Sequence, residues 1–236
     1  MKKVIGSIRR TVEELSLIKD GDRVAVGLSG GKDSSALLYA LTKYRTFSSI
    51  DFEIEAITIA IGFQDHDLSP LQAFCDTLNV HYTIEKTDIR EIVFDIRKEK
   101  NPCSLCAKLR RGALHNVMER RNLNVLALGH HLDDAIETFF MNMFYNGKLS
   151  TLEINSHLSK RNIRVIRPMI NVFECDVVGA VKKLNLPIIK NPCPVDKTTK
   201  REEAKKFVSD MSKKYPKFFT KIQTALKNEH QTNLWF

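Results

Sequence analysis

The sequence lacks a long uninterrupted apolar run. Its first residues read MKKVIGSIRRTVEELSLIKDGD, where charges recur well before the roughly 18 apolar residues that a membrane-spanning helix needs. The small-residue cleavage site of a signal peptide does not follow, and internal repeats and low-complexity tracts are missing. These absences predict a cytoplasmic protein that makes no membrane contact.

Cysteine is scarce and occurs an odd number of times, five in 236 residues. Without a secretion signal, this count makes disulfide pairing a poor explanation. Cys103, Cys106 and Cys193 are therefore predicted to serve metal or redox chemistry. Cys75 and Cys175 lie in apolar helical stretches, and we expect both to be small buried residues.

Acidic residues are outnumbered, with 28 Asp and Glu against 37 Lys and Arg. Between Lys197 and Lys227 the sequence has ten basic residues and three acidic ones. Such a segment is either a solvated helix face or a surface for a polyanion such as RNA. Thr199 followed by Glu202 is typical of a capping box and predicts a helix through Met211.

Apolar, β-rich runs alternate with segments of helical spacing, which predicts an α/β fold: an open parallel sheet with helices on both faces. The length suits one such domain. We expect an amino-terminal helix in residues 1–19, the sheet domain in 20–190, and the third-cysteine loop with basic helices in 191–236. The predicted strands are Arg23–Leu28, Phe52–Ile59, Val80–Ile84, Asn124–Leu128 and Arg164–Ile166. The other predicted helices are Asp33–Lys43, Leu68–Leu78, Leu105–Arg121, Asp133–Phe144 and Glu174–Leu184, and Gly147–Arg161 is predicted to be irregular.

A glycine-rich loop, Ser29-Gly30-Gly31-Lys32-Asp33-Ser34, joins the first predicted strand to a helix. Glycine lets the backbone approach a phosphate, the helix amino terminus presents N–H groups, and Lys32 adds a positive charge. The loop is not a Walker A motif, which needs glycine at Val26 and Ser or Thr at Asp33. Asp33 either contacts Mg²⁺ or the nucleotide, or caps the helix.

This loop resembles the PP-loop, SGGxDS, of the ATP pyrophosphatase superfamily. The resemblance implies a HUP-like, Rossmann-like fold with a five-stranded parallel sheet and the nucleotide at its carboxyl-terminal edge. It also implies that ATP is cleaved between its α and β phosphates and that the substrate is adenylated.

A second strand-to-helix junction reads LALGHHLDDAIE and includes Gly129, His130, Asp133 and Asp134. In open α/β sheets, sites form at the carboxyl ends of strands. Zinc is disfavoured because no further His lies nearby to complete a ligand set. We expect this junction to flank ATP, with Asp133 or Asp134 assisting Mg²⁺ or the base and a His on phosphate or ribose. Asp133 could instead cap the following helix.

Cys103 and Cys106 form a Cys-x-x-Cys spacing at the predicted start of a helix. Two thiolates so spaced can reach one metal or cluster, and a helix amino terminus is expected to lower their pKa values. Cys193 is the other cysteine that falls in a predicted loop.

The segments PCSLCAKLRRG, ALGHHLDDAIETFFMNMFYNGK, VIRPM and LPIIKNPC, in that order behind SGGKDS, resemble the tRNA 2-thiocytidine synthetase family from about Gly21 to Tyr215. The resemblance implies a [4Fe-4S] cluster on Cys103, Cys106 and Cys193 with one open iron position, ATP on the PP-loop, and sulfur transfer to C2 of a cytidine near the anticodon. It further implies a homodimer and a sulfur donor such as a cysteine desulfurase or free sulfide. Family members often carry a second cysteine where this chain has Asp196.

Catalytic roles are accordingly predicted for Lys32, Asp33, Asp133 and the three cysteines. Basic side chains around these motifs are either RNA contacts or surface salt-bridge residues. The predicted RNA contacts are Arg110, Arg111, Lys148, Arg164, Arg167, Lys205, Lys206, Lys213 and Lys214.

Three alternatives remain open from the sequence. The 2-thiouridine branch of the superfamily usually adds zinc-binding CxxC pairs at both ends, and neither end of this chain contains cysteine. Lysidine synthetase shares the loop but not the cysteines. A non-catalytic zinc module that binds nucleic acid would use Cys103, Cys106, Cys193 and Asp196.

Overall fold

The computed structural model describes residues 1–63, 67–99, 102–190, 192–193 and 200–228, except the side chain of Lys160. Asp196, and Thr199 of the predicted capping box, lie outside these residues. Within them, no helix is long and apolar enough to cross a membrane.

A six-stranded sheet in the order β3-β2-β1-β4-β6-β5 forms the centre of the fold. Five strands are parallel, and β5 runs antiparallel to β6. The strands are β1 (Asp22–Gly27), β2 (Phe52–Ala60), β3 (His81–Lys86), β4 (Val125–Ala127), β5 (Asn155–Leu158) and β6 (Ile163–Ile166). The predicted parallel sheet is confirmed, and the prediction that Gly147–Arg161 is irregular was wrong over β5. The sequence of β5, NSHL, is short and mostly polar, and it becomes a strand because it pairs with the exposed edge of β6.

Helices follow the strands closely along the chain. They are α1 (Lys2–Glu14), α2 (Lys32–Arg45), α3 (Ser69–Thr77), α4 (Pro102–Arg120), α5 (Leu132–Asn146), α6 (Glu174–Leu184), α7 (Lys200–Lys214) and α8 (Phe218–Lys227). A π-helical turn, Glu91–Ile96, and a 3₁₀ turn, Ser159–Arg161, complete the described elements and were not predicted.

Alternate residues of the inner strands point to opposite faces of the sheet, and both faces are covered. Val24 and Val26 of β1 pack in the larger core with α1, α2 and α6, whereas Ala25 packs on the other face with α4. β4 divides in the same way, with Val125 on the first face and Leu126 on the second. This two-sided burial matches the sequence prediction of helices on both faces.

A third apolar cluster attaches the basic carboxyl-terminal helices to α5. Ile136 and Phe140 of α5 pack with Val208 of α7, and Phe218 of α8 stacks on Phe140 with ring centroids 6.1 Å apart. α1 likewise buries Ile8 in the larger core. The division at residues 19 and 190 stays a prediction.

The two cysteines predicted to be buried differ in environment. Cys75 has no exposed surface, and burial raises the pKa of its thiol to about 12. Cys175 is exposed, so its prediction was wrong. The buried face of α6 carries Val177, Ala180 and Val181, and a residue two positions before Val177 points away from that face.

Candidate active site

The phosphate loop connects β1 to α2 at the carboxyl end of the sheet. Gly30 has a φ of +80°, a conformation that favours glycine. Ser34 Oγ ties the loop together because it accepts from the Ser29 N–H at 3.2 Å and donates to the Gly31 carbonyl at 3.0 Å. Gly31 is the N-cap of α2 and makes no side-chain cap, so the first N–H groups of the helix remain available for an anion.

Lys32 lies between two carboxylates. Its Nζ is 2.9 Å from an Asp33 oxygen and 2.9 Å from Glu174 Oε1. Burial alone lowers the pKa of Lys32, but the hydrogen bonds to Asp33 and Glu174 outweigh it and leave the pKa raised. Burial tends to raise the pKa of Glu174, but Lys32 holds it below its ordinary value. The Lys32 ammonium group therefore carries a full positive charge at the phosphate loop.

The second strand-to-helix junction, between β4 and α5, lies against the phosphate loop. A Cβ at Gly129 would lie 3.0 Å from the Asp33 carbonyl, so glycine is required for β4 to end beside α2. His131 is buried, and its Nε2 lies 3.6 Å from Asp33 Oδ1. Its Nδ1 accepts from the Asp134 N–H at 3.3 Å while Asp134 Oδ2 accepts from the His131 N–H at 2.8 Å. This reciprocal pair is the N-cap of α5.

Asp133 therefore does not cap its own helix, and that alternative role is wrong. Its Oδ2 accepts from the Glu174 N–H at 2.8 Å and so caps the start of α6. Burial raises the pKa of Asp133. By fixing the start of α6, Asp133 helps to place the Glu174 side chain against Lys32.

His130 lines the cleft as a neutral imidazole. Burial, together with the positive charges of Arg167 and Arg201, lowers its pKa to about 4, against the opposing effect of Asp134. Its Nδ1 accepts from Arg167 Nε at 3.2 Å, so in the neutral ring Nε2 carries the hydrogen. Arg167 is itself held by the Glu153 carbonyl. This arrangement makes His130 a hydrogen-bond donor rather than a base.

The three candidate ligand cysteines share one neighbourhood. Cys103 is exposed on the first turn of α4, and Cys106 and Cys193 are half-buried. Burial raises the pKa of Cys106, Arg110 lowers it, and the charges of Cys193 and Cys103 raise it further. The expected lowering by the helix amino terminus is wrong for Cys106, because burial and neighbouring thiolates dominate. Three thiols are the donors that an iron–sulfur cluster takes, so the chemistry of the donor set fits such a group.

A cleft of about 420 Å³ lies between the phosphate loop and α4. Its floor includes Ile57, Ile59 and Leu128, and a cleft of this size and apolar floor suits a nucleotide or a base. The polar side chains on its walls belong to Ser29, Asp33, Ser34, Arg110, Arg111, His130 and Asp134. Among the described residues, no three His, Cys, Asp or Glu side chains are grouped to hold a single metal ion.

Three charged residues of this region were missed from the sequence. Arg201 of α7 pairs with Asp134 and, at 3.2 Å, with Glu137 of α5, while Glu174 pairs with Lys32. Burial raises the pKa of Glu137, and Arg201 opposes that shift. Glu174 could have been found from the sequence, because it occupies the first position of a predicted helix. Arg201 and Glu137 gave none, because their pairing joins positions far apart in the sequence.

The predicted RNA contacts fall into separate places. Arg110 and Arg111 line the cleft. Arg164 lies outside the cleft, near the start of β6 and at the opposite end of the sheet. There its guanidinium group binds the Asp22 carboxylate and donates to the Leu17 carbonyl at 2.9 Å. We therefore correct its assignment: Arg164 holds the connection between α1 and β1. The lysines among the predicted contacts are all exposed: Lys148, Lys205, Lys206, Lys213 and Lys214.

Comparison with known proteins agrees with this geometry. A family model described as the PP-loop domain matches residues 3–211. The tRNA-cytidine(32) 2-sulfurtransferase of Pelobacter propionicus is 33% identical over 231 residues, covering 97% of this chain and 86% of that protein. The protein of the same name from Dichelobacter nodosus is 36% identical over 228 residues, covering 96% and 84%.

Solved structures share the fold. The U34-tRNA thiolase NcsA from Methanococcus maripaludis, with its [4Fe-4S] cluster, superposes with a TM-score of 0.78 and 26% identity, covering 95% of this chain and 76% of that one. The NH3-dependent NAD synthetase from Campylobacter jejuni, with a TM-score of 0.50 and 16% identity over 95% and 92% of the two chains, shows likeness of fold alone. Given the family model and the curated relatives, this chain belongs to the tRNA-cytidine(32) 2-sulfurtransferase family of PP-loop proteins.

Proposed function

We propose that this protein uses ATP to adenylate the C2 carbonyl of a cytidine in tRNA and replaces the oxygen with sulfur, giving 2-thiocytidine. The observation that carries the proposal is the cleft, which a phosphate loop and the CxxC helix line together at one edge of the sheet. The names of the curated relatives support cytidine as the substrate.

The reaction consists of two displacements. In the first, the carbonyl oxygen of the base bonds to the α-phosphorus of ATP and pyrophosphate leaves. In the second, sulfur bonds to C2 and AMP departs with the original oxygen. ATP is consumed because an O-linked AMP is a far better leaving group than the oxygen of an amide-like base.

The residues of the phosphate loop bind the departing pyrophosphate. Ser29, Gly30, Gly31 and Ser34 shape the loop, and Lys32 neutralises the charge that develops as the phosphate bond breaks. Asp33 and Asp134, whose carboxylates line the cleft, are the proposed contacts of a Mg²⁺ ion. His130 donates through Nε2 to a phosphate or ribose oxygen, and Asp133 acts through its cap on α6.

Cys103, Cys106 and Cys193 are the proposed ligands of a [4Fe-4S] cluster. The effect of two of these thiols on the pKa of the third supports this assignment. When bound through three cysteines, the cluster supplies an iron with an open position for the sulfur that is transferred. Asp196, the proposed alternative contact, lies outside the described residues.

RNA approaches the same edge of the sheet in this proposal. Arg110 and Arg111 meet the extruded base, because guanidinium groups stack on bases and bind phosphate through two hydrogen bonds. Arg167 contributes through His130. The lysines of α7, with Lys148, bind the backbone. A homodimer, a cytoplasmic location and a cysteine desulfurase or free sulfide as sulfur donor belong to the same proposal.

The test uses purified protein with ATP, sulfide and tRNA under anaerobic conditions. Lys32→Ala should reduce AMP formation at least a hundredfold, whereas Lys43→Ala, an exposed lysine at the end of the same helix, should behave like wild type. Equal AMP formation by Lys32→Ala and wild type would contradict the role of the loop.

The structural neighbour that acts on U34 supports a second candidate, thiolation of uridine. Mass spectrometry of tRNA nucleosides from cells that lack this protein separates the two. Loss of 2-thiocytidine supports the first proposal, and loss of a 2-thiouridine with intact 2-thiocytidine supports the second.

A further inference from the structure

The segment from Pro187 to Lys190 is fastened to the elements that bind phosphate. Ser35, which has no exposed surface, donates from Oγ to the Pro187 carbonyl at 2.9 Å. The Ile189 N–H donates to the Gly30 carbonyl at 2.8 Å. Two hydrogen bonds, one on either side of Ile188, therefore attach this segment to the phosphate loop and to α2.

Close packing at Gly30 adds to these bonds. A Cβ at this glycine would lie 3.2 Å from Ile189 Cβ, tighter than ordinary van der Waals contact. Glycine at this position thus allows both the positive φ of the loop and the close packing of the Ile189 side chain. The segment fits directly against the loop.

Cys193 follows this attached segment. Its side chain is half-buried, and the proposed function makes it the third cluster ligand beside the CxxC of α4. Cys103 and Cys106 are fixed by their own helix, whereas the described residues Pro192 and Cys193 belong to no helix or strand. Among the described residues from Pro187 to Lys190, the hydrogen bonds that tie the chain to the phosphate loop and α2 are those with Ser35 and Gly30.

We propose that Ser35 is a positioning residue for Cys193: with the Gly30 carbonyl, it holds the segment that presents the Cys193 thiol to the CxxC pair. This rests on the proposed function only in taking the three cysteines as ligands of one cluster. Ser35 lies directly after the SGGKDS motif and is absent from the cleft walls, so it acts through the segment rather than on a substrate. The phosphate loop and the third thiol are thereby mechanically joined.

The test compares Ser35→Ala with a matched variant, Thr42→Ala. Thr42 Oγ1 donates a buried 2.8 Å hydrogen bond to the Leu38 carbonyl, so its bond stays within the same helix. Both proteins are purified without iron, and the alkylation rate of each cysteine by iodoacetamide is followed by peptide mass spectrometry. We expect Cys193 to react several-fold faster in Ser35→Ala, with Cys103 unchanged and Thr42→Ala like wild type.

Two further measurements complete the design. Ile189 is half-buried and packs against Gly30, so Ile189→Ala loosens the attachment of the segment to the phosphate loop. This variant should speed alkylation of Cys193 even if Ser35→Ala folds poorly. After anaerobic reconstitution, iron per chain should fall in Ser35→Ala and Ile189→Ala but not in Thr42→Ala.

Unchanged alkylation of Cys193 in both folded variants would overturn the positioning role and leave the proposed function standing. An equal acceleration at Cys103 would also overturn it, because it would indicate general loosening. Selective acceleration in a protein that never thiolates cytidine would refute the proposed function and support the positioning role.

Discussion

Lys32 is held by two carboxylates, and ATP phosphates must compete with them for its charge. Glu174→Gln should therefore tighten pyrophosphate binding by roughly three- to tenfold, because it removes both a partner of Lys32 and a negative charge near the phosphates. Isothermal titration with pyrophosphate measures this directly. Asp176→Asn, in the first turn of the same helix, is the control, since that carboxylate pairs with Lys3. Weaker pyrophosphate binding by Glu174→Gln would contradict this prediction and show that Glu174 favours binding of the anion.

The Cys106 thiol gives a second prediction, on pH dependence. Its pKa is raised by burial and by the other thiolates, and Arg110 offsets part of this shift. Arg110→Ala removes a positive charge that favours the thiolate, so the pKa should rise further and the thiolate fraction at neutral pH should fall. The pH profile of Cys106 alkylation in iron-free protein should move to higher pH. Lys108→Ala, an exposed cation on the same helix, should leave the profile in place.

Among the helices, α7 is joined to α5 by charge as well as by apolar packing. Arg201→Met leaves the buried Glu137 carboxylate without its ion-pair partner and should lower the free energy of unfolding by roughly 1–3 kcal/mol. This loss is smaller than that expected for a fully buried ion pair, because Arg201 is partly exposed. Urea denaturation measures the loss. Arg120→Met, which breaks an exposed pair with Glu85, should cost less than about 1 kcal/mol.

The cost of Arg201→Met should depend on pH in one direction. Burial already raises the pKa of Glu137, and removing Arg201 raises it further. As pH falls, Glu137 takes up a proton and its own uncompensated charge disappears, so the cost should shrink toward acid. A cost that is independent of pH would assign the effect to packing by the arginine stem.

The strands and helices that the sequence predicted are those with strong local signals. The five parallel strands have apolar runs, and the phosphate loop has its chemistry within a few neighbouring residues. β5 lacked an apolar pattern, and its strand pairing depends on β6. Arg201 with Asp134, and Ser35 with Pro187, were unpredictable for the same reason, because tertiary contacts between distant positions leave no trace in local spacing.

At the scale of the whole molecule, the positive charge is concentrated in helices packed on α5. Charge reversal of Lys205, Lys206, Lys213 and Lys214 should reduce the salt dependence of tRNA binding, with the logarithmic slope falling by roughly 0.7–0.9 for each phosphate that the protein no longer neutralises. Affinity is measured across a salt series. Reversal of four exposed cations on α1 and α6, Arg9, Arg10, Lys182 and Lys183, provides the matched control. Equal slopes in the two variants would make α7 a solvated helix face.

β1 lies in the middle of the sheet, bonded to β2 on one side and β4 on the other, and its Val24, Ala25 and Val26 have no exposed surface. Backbone amides in such a strand exchange with deuterium only when the molecule opens globally. The phosphate loop therefore extends from the slowest-exchanging part of the protein. α4, which carries Cys103 and Cys106, packs on one face of the sheet, and the basic α7 packs on α5, so we expect their amides to exchange before those of β1.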